Sequence, residues 1–182
     1  LLANNDAIAA QPALLGISTI VDVFDQHRLF EKIDNQRVVE LSRLRGQPGF
    51  SGVDSVRKST GITARRMLQE GLTSLDLALA LIRKLEFASG CSVTEFDAVL
   101  LCHSHTNPHE CQELAAAVCE RLHIPESTIT AYNHGCCGFL KLLQDGAELL
   151  DELPQPGRVA LLSVETPETW HDAADRLFCG LV

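Results

Sequence analysis

The chain has 182 residues, 46% of them apolar and 21% charged, with a formal net charge of −9. That balance is globular, is enough for one good core, and excludes a disordered chain. No apolar run reaches a membrane span, the first residues lack the basic stretch of a secretory leader, and seven cysteines without small-scaffold spacing or a CxxC knuckle read as reduced thiols of a cytoplasmic protein.

The charge is uneven. Residues 28–66 hold nine Lys/Arg and four Asp/Glu, a local +5, and the remainder carries −14. Overall acidity argues against a nucleic-acid partner, while the basic segment has two readings: a receiver of an anionic partner or a solvated mixed-charge surface.

Taken in order, residues 1–12 form a loose lead-in, and 13–23 are β-branched enough for a first strand. A helix is expected at 29–45 and a Gly/Pro loop at 46–52. A turn at Thr60-Gly61-Ile62 then carries Arg65 and Arg66. A helix follows over 74–88, with Thr73 as N-cap, Asp76 at the capping-box position and Gly90 closing it. Residues 96–102 form a continuous apolar strand of the kind covered on both faces. Asn107-Pro108 starts another helix, with Asn as cap and Pro at its first position. The strand at 128–132 leads through His134-Gly135 into a helix at 136–153, stopped by Pro154. Residues 158–164 are a fifth strand, and 177–182 begin a sixth. Alternation of strands and helices predicts parallel strands with crossover helices, hence a layered α/β domain.

The segment HGCCGF at 134–139 carries the strongest chemical signal. A thiol where a strand turns into a helix meets the positive end of the helix dipole and the free N–H groups of the first turn, which suit a nucleophile and an oxyanion. The residues alone leave a second reading open, a pair of buried core cysteines. Cys102, Cys111 and Cys119 read as core. His103, Ser104, His105 and His109 lack a completed ligand spacing, so no metal is expected. Glu165 and Asp172 read as acid–base groups or as structural carboxylates, and Trp170 as packing or binding.

Cys136-Cys137-Gly138-Phe139 resembles the nucleophile motif of the ketoacyl-ACP synthase III family of the thiolase superfamily: cysteine, small residue, Gly, Phe. Other pieces agree in order. Thr60-Gly61-Ile62 with Arg65 and Arg66 is similar to the family's Thr-Gly-Ile…Arg turn. Asp97-Ala98-Val99-Leu100-Leu101 is similar to its second strand. Ser163-Val164-Glu165 followed by Asp175-Arg176 is similar to its strand end and Asp-Arg pair. The resemblance runs from about residue 14 to 182.

It implies a thiolase-like fold of which residues 1–182 are the N-terminal half, one βαβαβαβ repeat of a five-layer α-β-α-β-α architecture. It implies Cys136 as the nucleophile that accepts an acyl group, followed by decarboxylative condensation with a malonyl thioester. Arg176, with Arg65 and Arg66, would contact coenzyme A or an acyl carrier protein. No tightly bound cofactor is expected; an acyl-CoA or acyl-ACP thioester is the substrate, and the protein is expected to be a homodimer. The family's catalytic His and Asn belong to the half that would follow Val182.

Two departures stand out. No aromatic lies between Gly52 and Thr60, where the family places a tryptophan on the adenine. His134 replaces a small residue two positions before the nucleophile; Cys137 itself fits the small-residue place. The alternatives are a non-catalytic partner subunit of the same fold, or transfer of the acyl group to an alcohol or amine.

Overall fold

The computed structural model describes residues 16–44 and 50–170. The sixth strand expected at 177–182 lies outside them. The first expected strand does not form over residues 16–23. Ile17 and Ile20 stay exposed, and β-branched residues without a partner strand gain no ladder to hold them.

A hairpin unit comes first. Strand β1 (Phe30–Asp34) leads directly into α1 (Asn35–Leu44), so the single helix expected at 29–45 begins as a strand. The boundary is chemical. The Asp34 carboxylate accepts the Arg37 N–H at 2.8 Å, an N-terminal cap that ends the strand and starts the helix. Helix α2 (Val53–Thr60) stops at Gly61, whose φ of 72° admits the left-handed conformation. The Thr60 hydroxyl then donates to Val56 O at 2.9 Å and accepts the Ile62 N–H at 3.1 Å, which shapes the turn. β2 (Ala64–Leu68) pairs antiparallel with β1, Ile33 opposite Arg65. Not all strands are therefore parallel. This unit has its own small core of Ile33, Val38, Val39, Phe50 and Val56.

The second unit is the layered part. It runs α3 (Ser74–Ser89), β3 (Ala98–Cys102), α4 (Glu110–Leu122), β4 (Ile129–Tyr132), α5 (Gly138–Glu152) and β5 (Val159–Ser163). β3 lies in the centre, parallel to β4 on one side and to β5 on the other. Strand alternation divides the core. Val99, Leu101, Ala160 and Leu162 meet Leu77 and Ile82 of α3 and Leu114 and Val118 of α4. Leu100, Cys102 and Leu161 meet Leu142 and Leu149 of α5 on the other face. The result is helix, sheet, helix, the α/β layering expected from the sequence.

Helix starts follow local chemistry. At α3 the Asp76 carboxylate takes both the N–H and the hydroxyl of Thr73, at 2.9 and 2.8 Å, and Gly90 closes the helix at φ 69°. At α4 the start shifts by two residues. Asn107 accepts the His109 N–H at 3.1 Å, and the helix opens at Glu110.

Candidate active site at the carboxyl ends of the parallel strands

The three parallel strands end together, at Cys102, Tyr132 and Ser163. In open α/β sheets the crevice outside the carboxyl ends of the strands is where ligands bind. Here the residues that follow each strand gather at that end of the sheet.

From β3 come His103, Ser104 and His105. His103 is buried and its Nδ1 lies 2.6 Å from Val164 O; a carbonyl only accepts, so Nδ1 carries the proton. His105 Nδ1 accepts the Asn107 N–H at 2.9 Å, so any proton on a neutral His105 sits on Nε2. Its ring lies between His103, 6.0 Å away at 30°, and Trp170, 5.7 Å away at 67°. From β5 comes Glu165. Its two carboxylate oxygens accept the N–H and hydroxyl of Ser104 at 3.1 and 3.2 Å. Loss of water at the strand ends raises the Glu165 pKa, opposed by the Ser104 hydrogen bonds and by His103.

From β4 comes the cysteine elbow. Asn133 Nδ2 donates to His105 O at 2.9 Å and ties the elbow to the histidine loop. His134 follows, then Gly135 at φ 52°, a conformation that glycine adopts without a Cβ clash. Gly135–Cys137 form one 3-10 turn, and α5 proper opens at Gly138. The helix expected from residue 136 therefore starts two residues later. The first-turn N–H groups are also not all free. Cys137 N–H donates to His134 O at 3.3 Å, and Gly138 N–H donates to Gly135 O. An i to i+3 turn consumes donors that an α-helical first turn leaves open.

Both elbow thiols are free and exposed. Gly138 lies against β3: a Cβ there would stand 3.1 Å from Cys102 Cβ and 3.3 Å from its Sγ. That close approach fixes the elbow to the end of the central strand. Cys137 lines a shallow groove of about 290 Å³ with His134, Leu140, Lys141 and Gln144. Lys141 donates to Asp145. The hydrogen bond holds the Asp145 carboxyl below its ordinary range and raises Lys141. Tyr132 is raised by desolvation and by Asp145.

The structure thus holds Cys136, exposed, on the turn that follows β4, next in the chain to the groove residue Cys137. Arg65 and Arg66 sit on β2, in the hairpin unit. Arg65 is buried, its Nη1 donating to Asn35 Oδ1 at 3.1 Å, and Asn35 Nδ2 donates on to Ile62 O at 2.7 Å. Arg66 is exposed; its Nε donates to Phe24 O at 3.2 Å and its guanidinium lies 5.3 Å from the centre of the Phe24 ring. Arg176 and Asp172 lie outside the described residues. Among the described residues no three His, Cys, Asp or Glu side chains converge as metal ligands, and no helix is long and apolar enough to cross a membrane. Sequence reasoning passed over Asn133. Its signal was its place, a polar residue directly after a strand and before the reactive turn.

No family model matches the chain, and no curated protein matches it by sequence. Its fold is found among solved structures, and the class is thiolase-like α/β. The matches with that fold include 3-oxoacyl-(acyl-carrier-protein) synthases III and a priming β-ketosynthase. The priming β-ketosynthase of the R1128 polyketide biosynthetic pathway superposes with a TM-score of 0.64 at 22% identity, over 85% of this chain and 44% of that one. The 3-oxoacyl-[acyl-carrier-protein] synthase III of Aquifex aeolicus VF5 gives 0.63 at 18%, over 83% and 46%. That of Pseudomonas aeruginosa PAO1 gives 0.61 at 21%, over 83% and 44%. The chain therefore has the fold of part of such a structure and spans less than half the length of the neighbours it matches.

Proposed function

We propose that the chain carries the nucleophile of an acyl-thioester-dependent, 3-oxoacyl-(acyl carrier protein) synthase III-like enzyme. The observation that carries this reading is the exposed Cys136, held on a 3-10 turn at the carboxyl edge of a parallel sheet with that fold. The Cys136 thiolate attacks the thioester carbonyl carbon. The tetrahedral oxyanion collapses, the bond to the departing thiol sulfur breaks, and that sulfur takes a proton while the acyl group stays on Cys136. Condensation with a malonyl thioester is the second step in the whole protein, drawing on groups beyond those described. An acyl carrier protein or coenzyme A delivers the acyl group, and the working unit is a homodimer.

The basic segment supports an anionic donor. Arg66 is one of its exposed arginines, Arg176 a further phosphate contact, and Arg65 braces the Thr60–Ile62 turn through Asn35.

The test is acyl loading of the full-length protein with short acyl-CoA and acyl-carrier thioesters, followed by peptide mass mapping. The acyl mass should fall on Cys136, vanish in Cys136→Ala and remain in Cys137→Ala. An adduct that persists in Cys136→Ala, or no adduct on the wild type from either donor, would overturn the reading.

A further inference from the structure

Cys136 and Cys137 are adjacent, free and exposed, whereas Cys102, Cys111 and Cys119 are buried. An acyl-accepting site needs one thiol; the second occupies a place where the resembling motif has a small side chain. Two accessible neighbouring thiols have a chemistry that neither has alone. We propose that this dithiol is a reversible redox modification site, which a peroxide closes to a Cys136–Cys137 disulfide.

The step balances. One thiolate attacks a peroxide oxygen, the O–O bond breaks, and that sulfur becomes a sulfenic acid while the leaving oxygen departs as water. The neighbouring thiolate attacks the sulfenic sulfur and expels the second oxygen as water. Two thiols lose two electrons, and one hydrogen peroxide becomes two waters. A dithiol reductant reverses it by thiol–disulfide exchange.

Adjacent Cα atoms lie about 3.8 Å apart across a trans peptide, shorter than the roughly 4.4–6.8 Å of ordinary disulfides. The peptide bond itself sets that spacing, so the eight-membered ring that forms is strained and readily reduced, and the side chains and the turn around it must shift to close it. Rearrangement is cheap here. Gly135 and Gly138 flank the pair, and the interactions at stake are the 3.3 Å bond from Cys137 N–H to His134 O and the bond from Gly138 N–H to Gly135 O. Gly138 remains anchored on Cys102, so the change stays within the elbow. Closure consumes the Cys136 thiol. Only this consequence, loss of acyl loading, rests on the proposed function; the disulfide does not.

The experiment treats the full-length protein with stoichiometric hydrogen peroxide, with dimedone present or absent, and maps the peptide that holds both cysteines. The expected product is a loss of about 2 Da on that peptide, no dimedone adduct, and full return of both thiols with dithiothreitol. In Cys137→Ser the same treatment should give a dimedone-trapped sulfenic acid on Cys136 and, without dimedone, higher oxides that dithiothreitol does not restore. A dimedone adduct or sulfinic acid as the main wild-type product overturns the proposal, as does a disulfide from Cys137 to Cys102 or between two molecules. The wild-type mass alone decides, whatever the variant's folding. Closure without acyl loading would remove the proposed function and leave this inference standing; loading on Cys136 without closure would do the reverse.

Discussion

The cysteines at one end of the sheet divide into two kinds, and the difference lies in their surroundings. Cys102 and Cys111 lie beneath the strand ends and are buried. Cys111 Sγ donates to Tyr132 O at 3.0 Å, and burial pushes its thiol up to about 11; burial raises Cys102 as well. Cys136 and Cys137 stand just above on a glycine-flanked turn, open to solvent. Strand β3 places Cys102 in the core because residues at its carboxyl end still alternate between two covered faces, and Cys111 is buried in the first turn of α4. The elbow places the other kind outside because a 3-10 turn has no second layer over it within the described chain. Exposed and buried thiols are thus separated by one packing layer.

The largest expected effect tests that separation. With an aromatic disulfide reagent, Cys136 and Cys137 should react in the native protein. Cys102, Cys111 and Cys119 should be slower by the unfolding equilibrium, a factor between roughly 10³ and 10⁸. Peptide mapping of the quenched reaction reads this out, and fast native labelling of Cys111 would break the comparison.

A smaller effect sharpens it at the contact between the two kinds. Gly138→Ala places a methyl 3.1 Å from Cys102 Cβ, close to rigid backbone. The expected cost is about 1–3 kcal/mol, with faster labelling of Cys102. Gly146→Ala meets the far end of the Leu161 side chain at 2.9 Å, which can turn aside, so its cost should be smaller. Denaturant midpoints of the two variants rank them. Equal costs would mean that the elbow is not pinned by Cys102.

The smallest effect concerns two carboxylates with opposite pH behaviour. Asp76 is lowered by its hydrogen bonds from Thr73. Its contribution is present above the ordinary value of 3.8 and is lost as pH falls through its folded value. Glu165 is raised by desolvation. The native state holds that proton more tightly, so stability falls as pH rises above 4.5. Asp76→Asn should flatten the acid limb of a midpoint-against-pH curve, and Glu165→Gln should flatten the decline on its upper side. The same sign of change in both would refute the assignment at Glu165.

Much of the layered half was legible in the sequence. Thr73, Asp76 and Gly90 mark the ends of α3, and the run AVLLC marks a strand covered on both faces. The hairpin was not. FEKID followed by a helical pattern reads as one long helix until Asp34 is recognised as a cap, and β1 is a strand only because β2, thirty residues on, pairs with it. The cysteine pair was legible as a turn with thiols. Its 3-10 form, which ties up the N–H groups of Cys137 and Gly138, was not, since i to i+3 and i to i+4 turns differ by a few degrees of backbone.

The sequence by itself determined the local chemistry: which residues cap, which turn, which strand is buried on both faces, and which motif holds the thiols. Those follow from propensities and spacings acting within a few residues. Tertiary structure alone decided which thiols are exposed, that Arg65 is spent on Asn35 while Arg66 faces outward, and that His103, Ser104 and Glu165 meet at one strand edge. Each of these depends on which residues a neighbouring strand or helix covers, and coverage is a property of packing between segments 30 to 60 residues apart, which no local pattern encodes.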